Sequence, residues 1–103
     1  MVKNLNFVFL EKIVFRSYKI TVKGKVQGVA YRFNAQAVGH KLNLTGYVKN
    51  LFDGSVFAHV EGKEEDINKF IDWCYLGSRL AKVTEVEPEE TEFVGFQTFE
   101  IKR

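Results

Sequence analysis

An alternating stretch, Tyr18-Lys19-Ile20-Thr21-Val22-Lys23, runs into Gly24-Lys25-Val26-Gln27-Gly28-Val29-Ala30-Tyr31-Arg32, and a helix-spaced pattern leaves it. This junction constrains the chain more than any other feature. Period-two alternation demands a strand with one buried face. Beyond it, Ala35, Val38 and Leu42 recur at spacings that share one side of a helix. A strand that becomes a helix over so short a turn needs backbone freedom, and glycine supplies positive φ and close approach. Successive N–H groups in such a turn can converge on an anion, and the following helix N-terminus adds partial positive charge. Arg32 ends the turn with a permanent cation whose planar fork matches phosphate oxygens. The stretch reads as a small oxyanion cradle, best suited to phosphate. The plainer reading is a Gly-rich turn that only redirects the chain. Neither nucleotide-binding spacing is met, because G-x-G-x-x-G is missing and Gly28 is followed by Val29-Ala30. The turn suits one phosphate and is too tight for a nucleotide.

The rest of the composition mainly excludes. With 103 residues, 46% of them hydrophobic and ten phenylalanines, one domain with a real core is expected. A net charge of +2 gives no support for a nucleic-acid surface, which needs a clustered basic face. The single Cys74 rules out an internal disulfide and a cysteine-rich metal site. His40 and His59 are too far apart in sequence to suggest a zinc constellation. No apolar run approaches the ~18 residues of a membrane span.

Near the N-terminus, Phe7-Val8-Phe9-Leu10 and Ile13-Val14-Phe15 follow Lys3, the outline of an export signal. Glu11 and Lys12 interrupt the run and no small-residue cleavage site follows. Residues 1–16 are therefore read as an N-terminal extension, an extra strand or an arm. Tyr18–Val26 is the first strand and Tyr31–Leu42 the first helix, with Asn43 as its terminator. Thr45–Leu51 and Ser55–Val60 are strands around Asp53-Gly54, a strong hairpin signal. Glu64-Glu65-Asp66 suit the start of a second helix. Ile67, Phe70, Ile71 and Cys74 form its core stripe, and Gly77 its stop. Val83–Glu87 is a fourth strand closed by Pro88, and Phe99–Ile101 a short last one. The order β-α-β-β-α-β predicts an α+β, ferredoxin-like sandwich: an antiparallel sheet with both helices on one face and a small extra C-terminal strand. The third strand then lies between the first and second.

A second informative stretch is Gly46-Tyr47-Val48-Lys49-Asn50-Leu51-Phe52-Asp53-Gly54-Ser55-Val56, ending at Glu61-Gly62. Asn50 shares a strand face with Val48 and Gly46, a polar group in an apolar row, against strand propensity. Its carboxamide offers donors and an acceptor on one rigid group, enough to hold a water and a substrate oxygen together.

These two stretches, G-K-V-Q-G-V-A-Y-R and G-Y-V-K-N-L-F-D-G-S-V-F-A-H-V-E-G, resemble the paired signatures of the acylphosphatase family. The likeness runs from about Tyr18 to Arg103, so 17–103 is taken as the acylphosphatase-like domain. It implies hydrolysis of carboxyl-phosphate anhydrides to carboxylate and inorganic phosphate, with no metal and no organic cofactor. By the resemblance Arg32 binds phosphate and Asn50 positions water. Gln27, Gly28, Val29, Ala30 and Tyr31, with Arg32, form the binding loop, mainly through backbone N–H groups. Tyr31 departs from the phenylalanine or methionine usual before the arginine; its ring is nearly the same size, so at most a changed rate or substrate mouth is expected from it. The implied substrate is a small-molecule acyl phosphate, and broad tolerance of the acyl part is expected. No nucleic acid or membrane is expected as partner, and the chain is expected to act as a cytoplasmic monomer.

Rival readings stay open. A non-catalytic phosphate- or RNA-binding module of the same fold would use Tyr47 and Phe57 for stacking, but the RNA-recognition signature is missing from Ser55–Gly62. An acylphosphatase-like module of the larger hydrogenase-maturation proteins would carry further regions beyond Arg103; the free-standing enzyme is preferred. His40 and His59 read as packing or surface residues and Cys74 as a buried thiol. Glu85, Glu87, Glu89, Glu90 and Glu92 read as a solvated face.

Overall fold

The computed structural model describes residues 13–103. Its elements are β1 (Phe15–Lys25), α1 (Tyr31–Lys41), β2 (Thr45–Asn50), β3 (Val56–Lys63), α2 (Glu64–Leu76), β4 (Lys82–Thr91) and β5 (Phe99–Lys102). The sheet order is β4-β1-β3-β2-β5, so β3 does lie between β1 and β2. The α+β, ferredoxin-like architecture is as expected. Alternation dictates the two faces. Ile20, Val22, Val48, Val56, Ala58 and Val60 point inward and are buried. Tyr31 and Ala35 of α1 and Ile67, Phe70 and Cys74 of α2 complete the core. Gly39 lets α1 approach β5: a Cβ there would stand 2.5 Å from the Phe99 ring.

Several boundaries differ from expectation, each for a nonlocal reason. β1 opens at Phe15 rather than Tyr18, because Phe15 and Arg16 pair with Lys63 and Gly62 of a longer β3. Residues 1–12, the greater part of the expected extension, lie outside the described residues. β4 does not close at Pro88 but continues to Thr91, with Pro88 opposite Ile20. β4 is an outer strand with one neighbour, where a residue without an N–H is tolerated. The sheet is mixed rather than antiparallel, since β5 runs parallel to β2.

This topology brings the C-terminal ends of β1, β2 and β5 to one edge of the molecule, where α1 begins. Val48 sits opposite Ile101 and Lys49 opposite Lys102, so Asn50 at the end of β2 and the tail of β5 flank the β1–α1 turn.

Candidate active site

Gly28 and Ala30 both take positive φ, 73° and 62°. A Cβ on Gly28 would touch nothing within 4 Å, so glycine serves the conformation there and not the space. Ala30 is the N-cap of α1, and the helix has no acidic residue in its first turn. The N–H groups of a first helical turn lack intrahelical partners, so the partial positive charge of α1 is left for an external anion. Among the described residues, no backbone hydrogen bond outside the helices and strands uses the N–H of Gln27, Gly28, Val29 or Ala30. The turn is held from outside. Ser78 Oγ donates to Val29 O at 2.7 Å and Asn34 Nδ2 to Ala30 O at 2.8 Å. Gln27 Nε2 donates to Leu51 O at 2.7 Å and to Ser55 O at 2.9 Å. The Gln27 amide therefore ties the turn to the β2–β3 hairpin rather than reaching for a ligand. The hairpin is itself braced by Asp53, which accepts from the Ser55 N–H at 2.9 Å. The Ser55 hydroxyl and N–H hold the Asp53 carboxyl below its ordinary pKa.

Arg32 Nη1 donates to Lys102 O at 3.0 Å, which pins the guanidinium against the end of β5. Arg32, Gly28, Ala30 and Asn50 line one cavity of about 180 Å³, with Phe33 and Ile101 on its wall. Asn50 is thus brought beside Arg32. Its Oδ1 is buried with no hydrogen-bond partner among the described residues, an unusual state for a buried polar atom. A second cavity of about 440 Å³, lined by Gln27, Lys49, Phe52 and Arg103, meets the first at Asn50.

The acylphosphatase family model matches residues 18–101. The chain belongs to the acylphosphatase family. It is 47% identical over 83 residues to an acylphosphatase of Geotalea uraniireducens, covering 80% of this chain and 91% of that one. The crystal structure of acylphosphatase from Bacillus subtilis superposes with a TM-score of 0.83 at 35% identity, covering 87% of this chain and all of that one. Full-length HypF aligns as well, with a TM-score of 0.79 at 28% identity, over 88% of this chain and 12% of its own length. Family membership makes this chain an enzyme of the class that hydrolyses acyl phosphates.

Within this acylphosphatase frame Tyr31 lines the cavity beside Arg32, while its side chain belongs to the core. Its side chain is 2% exposed, its hydroxyl donates to Cys74 O at 2.8 Å, and its ring packs 5.0 Å from Trp73. Burial drives its pKa upward, so the phenol stays neutral as a core strut. Burial likewise pushes the Cys74 thiol up to about 12, which leaves no nucleophilic thiolate.

His59 is a packing residue, as expected, but in an unforeseen setting on the sheet face away from the helices. Ser17 Oγ lies 3.0 Å from His59 Nε2 and donates to Glu61 at 2.9 Å. Glu61 also accepts the N–H groups of Val94, Gly95 and Phe96 at 2.6, 3.0 and 3.2 Å. Phe96 then covers His59, edge to face at 4.8 Å. The cluster straps the β4–β5 connection to the sheet and is remote from Arg32. The glutamates of β4 take surface roles; Glu87 lies 3.4 Å from Lys23 and Glu90 2.7 Å from Arg16. Among the described residues no group of three or more His, Cys, Asp or Glu is placed to hold a metal. No helix among them is long and apolar enough to cross a membrane.

Proposed function

We propose that Arg32 and the N–H groups of the Gln27–Arg32 loop bind the phosphoryl group of an acyl phosphate, and that Asn50 aims the attacking water. The observation that carries this reading is the shared cavity: Arg32 from the start of α1 and Asn50 from the end of β2 both line it. The unpartnered Oδ1 of Asn50 supports it, since a carboxamide with a free acceptor can orient a water's proton.

The water oxygen forms a bond to phosphorus as the bond from phosphorus to the acyl oxygen breaks. The electron pair leaves with the carboxylate, and the water's proton passes to phosphate or solvent. A carboxylate is a good leaving group, so positioning and electrostatics suffice. No residue lining the cavity is an acid, a histidine or a cysteine, and asparagine is no base at neutral pH. The proton therefore goes to a substrate oxygen or to bulk water. Arg32 and the amides neutralise charge on the equatorial oxygens without a metal, so turnover survives EDTA.

Hydrolysis in ¹⁸O-labelled water tests the reaction itself. The label is expected in inorganic phosphate. Label in the carboxylate would mean attack at the carbonyl carbon and would overturn the assignment of Asn50 and Arg32.

A further inference from the structure

We propose that Phe33 and Ile101 form the platform on which the acyl part of the substrate lies, and that the enzyme favours aromatic and bulky apolar acyl groups. The inference rests on the proposed roles of Arg32 and Asn50. In phosphoryl transfer the attacking and leaving oxygens are roughly in line through phosphorus. With water held at Asn50, the acyl oxygen departs on the side of the phosphoryl group away from Asn50. Of the apolar residues lining that cavity, Val26 and Tyr31 are 1% and 2% exposed and belong to the core. Phe33 and Ile101 are 69% and 37% exposed. They are the large apolar side chains of this wall that an acyl group can touch. Phe33 follows Arg32 directly in α1, and Ile101 precedes Lys102, whose carbonyl holds Arg32, so the platform adjoins the anchored guanidinium. Phe52 is exposed too, but it lines the second cavity, which meets the first only at Asn50. Arg32 does not line that second cavity.

The test compares kcat/KM for benzoyl phosphate and for acetyl phosphate in the wild type, Phe33→Ser, Phe33→Leu, Ile101→Ser and Phe52→Ser. Comparing this ratio between proteins cancels the substrates' intrinsic reactivity. Phe33→Ser is expected to lower the benzoyl-to-acetyl ratio about tenfold, the worth of roughly 50 Å² of apolar contact, mainly through KM for benzoyl phosphate. Phe33→Leu is expected to restore most of it, Ile101→Ser to lower it less, and Phe52→Ser to leave it unchanged. A ratio unmoved by Phe33→Ser, or lowered instead by Phe52→Ser, overturns the platform while leaving the hydrolytic reading intact. A folded wild type that turns over neither substrate overturns that reading and the platform with it.

Discussion

A guanidinium with five donors can spend one on a backbone carbonyl and keep the rest for a ligand. Arg32 does this: Nη1 is committed to Lys102 O, and the fork is thereby aimed. Arg32→Lys keeps the charge but loses that geometry. It is expected to cut kcat/KM by about 10²- to 10³-fold, the usual worth of a preorganised donor, with inhibition by inorganic phosphate weakened in parallel. Full inhibition by phosphate in the Lys variant would show that charge alone suffices. Tyr31 makes the opposite prediction. Tyr31→Phe leaves the Cys74 carbonyl without its 2.8 Å donor and should cost about 1–2 kcal/mol in urea unfolding. Because the hydroxyl is turned to the Cys74 carbonyl and the ring is buried, its KM for acyl phosphates should match the wild type.

The turn between β1 and α1 was legible because its information is local: alternation, glycine, arginine and helical spacing follow one another in sequence. Asn50 was legible as a polar residue in an apolar strand row. The strand ends were not, because Pro88 is tolerated only through β4's place at the sheet edge and β5 runs parallel only through its docking on β2. Gln27 sat within the motif, yet its side-chain role needed the hairpin to be folded beside it. Its two bonds to Leu51 O and Ser55 O set the spacing between the cradle and β2. Gln27→Leu is therefore expected to lower kcat more than it raises KM and to reduce stability by about 1–3 kcal/mol. A Leu variant with normal kcat would show that the turn keeps its place without this link.

At the scale of the whole molecule, acid acts through the strap on the open sheet face. Burial alone would raise the Glu61 pKa, but the Val94, Gly95 and Phe96 N–H groups and the Ser17 hydroxyl outweigh it and hold the carboxyl low. The His59 pKa is lowered, chiefly by burial. Both groups bind protons more readily in the unfolded chain. The His59 contribution to stability is present above its unfolded pKa of about 6.5 and is lost as pH falls through its folded value. The Glu61 contribution is lost in turn below about 4.3. Urea midpoints should fall as pH drops below about 6.5, and Glu61→Gln should flatten the part of that slope below about pH 4.3 while costing about 1–3 kcal/mol at pH 7. This cluster was not legible in the sequence, since Ser17, His59 and Glu61 meet only through the register of β1 with β3. The central claim concerns the other end of the molecule. Its most direct test is turnover of benzoyl phosphate, with EDTA present, by the wild type, Arg32→Ala and Asn50→Ala, each shown to be folded. The account predicts fast phosphate release by the wild type and losses of at least about 10²-fold in both variants. Near-normal turnover by folded Asn50→Ala would contradict it.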